Sequence, residues 1–192
     1  MDFLKMYKKH TKEEIEEVEK EIKIFFDKND IKLESGFDVV KACKKIGFTM
    51  LSLSLPQGID GVIMVGKKGK VIGVSNKTQP QDARFVIAHE LGHYIHELRD
   101  KKEDEVLFAM KDSILHGVAK SDLENLIDLI AASILVPKDE FLSDMKKYGI
   151  KKTTEIDEAK KTSFNAIIEL SAKYDVAEDL IIRRVVEVSC YA

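Results

Sequence analysis

Apolar residues recur every three to four positions along several stretches of the chain, which predicts amphipathic helices. The clearest stretch covers residues 11–26, where Thr11 and Glu14 form a capping-box pattern ahead of the apolar positions. The apolar residues that share one face of this helix are Ile15, Val18, Ile22 and Phe25. Further helices are predicted over residues 36–45, 81–96, 122–135, 139–148, 155–174 and 177–189.

Between the second and third predicted helices the spacing of apolar residues changes to two, which is typical of β-strands. The alternating stretches are residues 49–55, 61–65 and 71–74, and the tetrapeptide Gly-Lys-Lys-Gly between the last two predicts a hairpin. We therefore expect an α+β protein that is mostly helical, with a small three-stranded antiparallel sheet. Residues 99–105 are a charged run that predicts a solvated loop, and residues 106–120 fit neither spacing.

Composition limits the classes of protein to which the chain can belong. It has 192 residues, of which 44% are hydrophobic, enough for a packed core. A net charge of −3 argues against a generally basic DNA-binding surface. Cys43 and Cys190 lie far apart without CxxC spacing, which favours a reducing compartment over a disulfide framework. No apolar run approaches the ~18 residues of a membrane span, and we expect a cytoplasmic protein without a signal peptide.

Residues 88–97, AHELGHYIHE, contain a His-Glu-x-x-His motif. His89 and His93 are four positions apart, so a helix places both imidazoles on one face, where they can bind a single metal ion. Glu90 can reach the same site from its edge. Zinc-assisted hydrolysis needs neutral imidazoles, a coordination position for water and a carboxylate that takes the proton from that water. The alternative is a half-buried helix whose histidines are satisfied by ordinary hydrogen bonds.

The motif does not supply the third protein ligand. The extended metzincin pattern would require a later histidine where this chain has Arg99, so that class is excluded. Glu124 and Asp128 are spaced four apart on an otherwise apolar predicted helix, and burying carboxylates is costly unless a cation compensates. We therefore expect Glu124 to be the third ligand. Asp128 would then accept the second ring N–H of a ligating histidine, most simply that of His89.

Each of these assignments has an alternative. Glu124 and Asp128 could simply face water, because acids are favoured near a helix N-terminus. In that case the remaining candidates for the third ligand are Asp104, Glu105 and His116. His96, one turn beyond His93, can line the cleft and donate to a developing oxyanion, although a histidine in such a position is more often a surface residue.

Two blocks of the chain resemble the ImmA/IrrE family of zinc metallopeptidases. They are RFVIAHELGHY at residues 84–94 and ENLIDLIAASILVP at residues 124–137, and the order of elements over residues 30–148 also resembles the family. The resemblance implies a mostly helical, zincin-like metallopeptidase core with a gluzincin-like zinc site. The site residues that it implies are Glu90 as the catalytic base and His89, His93 and Glu124 as the zinc ligands.

The resemblance also implies a function. Family members are cytoplasmic proteases that cut helix-turn-helix repressors and so release transcription. The chain would then be a zinc-dependent metalloendopeptidase whose substrate is a regulatory protein of that kind. The alternative is a non-catalytic, zinc-stabilised module that binds a repressor without cleaving it. Glu90 favours the enzyme, because a structural zinc site needs no acid there.

The chain departs from the family pattern at three positions. Asp128 stands where Asn is usual, and Leu126 stands where a second Glu is common. The family often has a histidine at the position of Glu97, whereas this chain has one at position 96. These departures affect the expected metal site little and leave the identity of the substrate open.

The last two predicted helices suggest a second unit. We expect a metallopeptidase domain over residues 1–150 and a C-terminal helical pair over residues 151–192, with a helix-turn-helix-like turn at residues 174–176. Arg183 and Arg184 could contact phosphate, but the acidic residues around them oppose it. We expect the pair to pack on the protease or hold a protein partner. A DNA-binding regulator, the third hypothesis, would show salt-dependent affinity for DNA.

Overall fold

The computed structural model describes residues 9–99, 107–112 and 121–190, with only the backbone described for Gln81 and residues 107–112. The helices are α1 Lys12–Lys28, α2 Val39–Lys45, α3 Pro80–His93, α4 Asp122–Leu135, α5 Lys138–Lys147, α6 Ile156–Ala159, α7 Phe164–Tyr174 and α8 Glu178–Ser189. A π-helical turn, Tyr94–Leu98, continues α3. The strands are β1 Phe48–Leu53, β2 Ile59–Gly66, β3 Gly69–Ser75 and β4 Leu107–Asp112. Within these ranges, no helix combines the length and the apolar character needed to cross a membrane.

Helix α1 begins where the sequence predicts, because both hydrogen bonds of the capping box form. The Thr11 hydroxyl accepts from the Glu14 N–H at 3.1 Å, and the Glu14 carboxylate accepts from the Thr11 N–H at 2.8 Å. The residues predicted on the inward face of this helix are all buried, namely Ile15, Val18, Ile22 and Phe25. The predicted helical periodicity of this segment is therefore confirmed.

The sheet has four strands in the order β1-β3-β2-β4. The predicted hairpin is confirmed, since β2 and β3 pair antiparallel with Gly66 opposite Gly69. The α+β class is confirmed, but the expectation of three antiparallel strands is wrong. In the sheet, β3 lies between β2 and β1. It pairs with β1 in the parallel direction, with Phe48 opposite Lys70. The fourth strand, β4, pairs antiparallel with β2 and comes from the segment whose spacing fitted neither period.

The single helix predicted over residues 155–174 is two helices. α6 ends at Ala159 and α7 starts at Phe164, with Ser163 in a non-helical conformation between them. Threonine and serine compete with helical hydrogen bonds, which explains a break at this point. The predicted turn after α7 is present, because Asp175 adopts a left-handed conformation with φ of 53° and ends the helix.

One hydrophobic core joins the two predicted units. Helix α4 is buried continuously from Ile127 to Leu135, and α8 contributes Ile181, Val185 and Val188 to the same apolar cluster. Helix α8 therefore packs on the helix that carries the predicted acidic ligand. The division into domains at residues 1–150 and 151–192 stays a prediction.

Both arginines of α8 are engaged inside the protein. The buried Arg184 donates to the Val136 carbonyl at 2.9 Å and to Glu187 at 3.1 Å, and it also pairs with Glu19 of α1. Arg183 donates to the other carboxylate oxygen of Glu187 at 2.6 Å. These ion pairs hold both guanidinium groups against the protein instead of presenting them to phosphate.

We predict that Arg184→Met lowers the free energy of unfolding by about 3 kcal/mol, because it leaves buried carboxylate charge without one of its partners. Urea denaturation followed by circular dichroism measures the change. The control is Lys23→Met, which breaks the exposed pair with Asp27 and should change stability by less than about 1 kcal/mol. Equal effects of the two substitutions would show that the buried network does not stabilise the fold.

Candidate metal centre

Helix α3 places the motif between the sheet and α4. It packs against β2, β3, β4 and α4, so the side chains of His89, Glu90 and His93 are buried. Gly92 allows the close approach of α4. A Cβ at this position would lie 3.1 Å from Ile127 Cγ2 and 3.4 Å from the Ile127 carbonyl oxygen. The absence of a side chain at Gly92 therefore lets α4 bring its acidic residues beside the two histidines.

The structure brings the three predicted ligands together. His89 Nε2 lies 3.2 Å from Glu124 Oε2, and His93 Nε2 lies 3.4 Å from Glu124 Oε1. One potential ligand atom from each of these residues lies within 4.8 Å of the others. Glu124 sits in the first turn of α4, where the Ser121 hydroxyl accepts its backbone N–H at 3.2 Å and caps the helix. The three side chains form a cluster that could hold a metal ion.

A carboxylate holds the other ring nitrogen of each histidine. His89 Nδ1 lies 2.8 Å from Asp128 Oδ1, which is the contact expected from the sequence. His93 Nδ1 lies 2.7 Å from Glu97 Oε2. Sequence analysis missed this role of Glu97, although its spacing of four residues from His93 is a usable signal. Because ionised carboxylates only accept hydrogen bonds, both Nδ1 atoms donate, and each Nε2 is directed at Glu124.

This arrangement fits a divalent metal ion. A neutral imidazole that donates from Nδ1 has a lone pair on Nε2. Two such lone pairs repel the Glu124 carboxylate that they face, unless a positive charge lies between the imidazoles and the carboxylate. His93 Nε2 is buried and makes no hydrogen bond within the described part of the chain. Carboxylates in or beside the cluster come from Glu90, Glu97, Glu124 and Asp128. Two imidazoles and a carboxylate form a ligand set suited to zinc.

The pKa shifts of His93 and Glu124 also favour a positive charge among these side chains. Burial opposes charging of His93, but the neighbouring carboxylates of Glu124, Glu97 and Glu90 outweigh it and raise the pKa of His93. Burial likewise opposes the charge on Glu124, but its contacts with His89 and His93 outweigh burial and lower the pKa of Glu124 to about 2. Glu124 is therefore an anion at neutral pH, as a metal ligand must be.

Glu90 lies where α3 meets β2. Its carboxylate is fully buried and rests against Gly61 of β2. A Cβ at Gly61 would lie 2.5 Å from Glu90 Oε1 and 2.5 Å from Val86 Cγ1, so a larger residue would displace the carboxylate. Sequence analysis did not single out Gly61. The available signal was a glycine inside a strand pattern, which often marks a close approach of another group to the backbone.

His96 is not brought to the cluster. Its Nδ1 lies 3.1 Å from Glu21 Oε2 of α1, and its side chain is 35% exposed. This position does not support a role in stabilising an oxyanion, because the imidazole is held by a different helix on a more exposed surface. The alternatives to Glu124 as third ligand, which are Asp104, Glu105 and His116, lie outside the described residues.

Together the fold and the cluster define a class, namely an α+β domain with a His-Glu-x-x-His helix and a candidate metal centre completed by a second helix. The chain belongs to the M78 peptidase family, since the family's sequence profile, described as the IrrE N-terminal-like domain, matches residues 43–185, more than half of the 192 residues. This match confirms the resemblance to the ImmA/IrrE family and supports a metallopeptidase-like role. No curated protein matches the chain significantly. The matched segment runs from α2 into α8.

We predict that Glu124→Ala lowers zinc affinity by at least ~100-fold, because it removes a direct ligand. Loss of a residue that only hydrogen-bonds to a ligand lowers metal affinity by about 10- to 100-fold. Metal analysis after dialysis and competition with a chromogenic chelator measure the change. The matched control is Asp122→Ala, which removes an exposed acid from the same first turn of α4 and should keep zinc. Unchanged zinc in the Glu124 variant would move the third ligand to another residue.

Proposed function

We propose that this protein is a zinc-dependent endopeptidase that hydrolyses a peptide bond in a regulatory protein. The observation that carries the proposal is the pair of buried imidazoles that face Glu124, together with the buried carboxylate of Glu90, which interacts electrostatically with His93. Membership of a peptidase family supports the reaction class. In this proposal, the zinc ion is held by His89, His93 and Glu124.

Zinc bound at this cluster supplies Lewis acidity, which activates water and polarises the scissile carbonyl. Glu90 accepts the proton that the attacking water loses and then donates it to the leaving amine nitrogen. Asp128 and Glu97 hold the imidazoles at Nδ1 and so fix the direction of each Nε2. Burial of Glu90 excludes bulk water from its carboxylate and strengthens its electrostatic interactions.

The edge of the sheet offers a binding site for an extended peptide. The hairpin strands β2 and β3 do not provide this edge, because both are interior strands among the described residues. β4 lies at one end of the strand order and also contacts α3, which carries the motif. Edge strands present backbone N–H and C=O groups to which a peptide can add as a further strand. We therefore place the substrate along β4, which brings its backbone beside the motif helix.

Within this proposal the substrate is a helix-turn-helix transcriptional repressor, and the reaction takes place in the cytoplasm. The resemblance of two sequence blocks to the ImmA/IrrE family supports the repressor, and the two free cysteines agree with a reducing compartment. The alternative is a zinc-stabilised module that binds the repressor without cutting it. Mass spectrometry of a repressor incubated with the zinc-loaded protein separates them, because only the peptidase creates new chain termini.

We predict that Glu90→Gln binds zinc like the wild type but cleaves at least ~100-fold more slowly, because glutamine cannot accept the proton from water. Zinc content and the initial rate of cleavage are measured on the same samples. The control is Asp82→Asn, an exposed acid in the first turn of α3, which should retain both properties. Wild-type cleavage by the zinc-loaded Glu90 variant would refute its assignment as the base.

Gly61→Ala is a second test of Glu90, because the added methyl group must displace its carboxylate. We expect zinc binding to remain and the cleavage rate to fall by about 10- to 100-fold, since small misplacements of reacting groups have effects of this size. The matched control is Gly73→Ala in β3, whose Cβ would lie 2.4 Å from Leu53 Cδ1 and 2.9 Å from Val62 Cγ1, away from the cluster. Equal loss of rate in both variants would indicate a general effect of crowding the sheet.

A further inference from the structure

The carboxylate of Asp128 has a second charged neighbour besides His89. Its Oδ1 atom lies 2.8 Å from His89 Nδ1, and its Oδ2 atom lies 3.7 Å from Arg183 Nη1 of α8. The last distance is too long for a hydrogen bond but is within the range of an ion pair. The side chains of Asp128 and Arg183 are only 7% and 14% exposed, so their attraction is screened much less than that of a surface pair.

The position of Arg183 is itself fixed. Its Nε donates to Glu187 Oε1 at 2.6 Å, and the side chain of Glu187 is fully buried. The other oxygen of Glu187 accepts from Arg184 at 3.1 Å, and Arg184 also pairs with Glu19 of α1. Arg183 is thus the cation shared by two buried carboxylates, one of which holds a predicted zinc ligand.

We propose that Arg183 is a positioning residue for the candidate metal centre. Its guanidinium holds Asp128 in the orientation that accepts the His89 N–H, so zinc affinity depends on a side chain of the C-terminal helix. Without this cation, the carboxylates of Asp128 and Glu187 lose their shared partner, and Asp128 is held less firmly against His89. The inference rests on the proposed zinc site and adds α8 to it.

The two histidines differ in how much outside support they need. Glu97 lies one turn after His93 in the same helical segment, so the local backbone sets its direction. Asp128 comes from α4 and must reach across to α3, so a contact from a third helix has a larger part in fixing it. Arg183 therefore acts on the His89 side of the cluster.

The experiment is a double-mutant cycle between Arg183→Met and Asp128→Asn in the full chain. The dissociation constant for zinc is measured by competition with a chromogenic chelator, and the absorption spectrum of the cobalt-substituted protein reports ligand geometry. We expect Arg183→Met to weaken zinc binding by about 10-fold in the wild-type background, as outer partners of metal ligands do. In the Asp128→Asn background the same substitution should change affinity by less than about 2-fold, because its target is already lost.

Two further variants separate positioning from folding. Arg183→Lys keeps the positive charge, but its single ammonium cannot serve Asp128 and Glu187 as the guanidinium does, so it should recover only part of the affinity that Arg183→Met loses. Lys173→Met removes a cation that pairs with Asp144 at 2.6 Å and Glu140 at 3.0 Å, neither of which belongs to the cluster, and should lower stability while leaving zinc affinity unchanged. If Arg183→Met does not fold, Arg183→Gln, which keeps a hydrogen-bond donor, takes its place in the cycle.

The outcomes distinguish this inference from the proposed function. A wild-type protein that binds no zinc would refute the proposed zinc site. Zinc binding by the wild type with unchanged affinity in Arg183→Met, or with equal losses in both backgrounds of the cycle, would overturn the positioning role alone. An equal loss of affinity in Lys173→Met would also overturn it, because the effect would then follow general stability.

Discussion

The hydrogen bonds at the two Nδ1 atoms are the constraint on which the rest of the site depends. Asp128 and Glu97 can only accept, so each imidazole donates from Nδ1 and directs Nε2 toward Glu124. This requires α3 and α4 to pack closely, and the absence of a side chain at Gly92 permits it. The arrangement concentrates negative charge in a buried region, which a divalent cation is suited to compensate.

Helices from both ends of the chain pack around this charged cluster and contribute ion pairs beside it. Every residue of α4 from Ile127 to Leu135 is buried, yet Asp128 interrupts this apolar run to reach His89. The buried ion pairs of α8 lie directly behind that carboxylate and extend to Glu19 in α1. The C-terminal helices are therefore part of the packing that surrounds the cluster.

Features that depend on local spacing could be predicted from the sequence. The capping box of α1, the shared face of His89 and His93, and the positions of the acids on α4 all follow from helical periodicity. The third ligand was harder to predict, because the sequence left open whether Glu124 faced a metal ion or water. The contact of Glu124 with two imidazoles depends on how α3 and α4 pack together, which the sequence does not show.

Features that depend on contacts between distant segments could not be predicted. The parallel pairing of β1 with β3 depends on the order of the strands in the sheet, which the sequence does not show. Strand β4 was not predicted because its sequence shows no clear alternation of apolar and polar residues. The close approach of Gly61 to Glu90 joins β2 to α3, and the pairing of Arg183 with Asp128 joins α8 to α4. The distances within these pairs are set by the packing of segments far apart in the chain, so the sequence alone does not reveal them.

Diffraction from crystals grown with zinc, with data collected on both sides of the zinc absorption edge, shows whether His89, His93 and Glu124 bind the metal. We expect one anomalous peak bonded to the Nε2 atoms of His89 and His93 at about 2.0–2.1 Å and to Glu124 at about 2.0–2.2 Å. No other protein side chain should coordinate the ion. A peak elsewhere, or a fourth protein ligand that closes the coordination shell, would contradict this expectation.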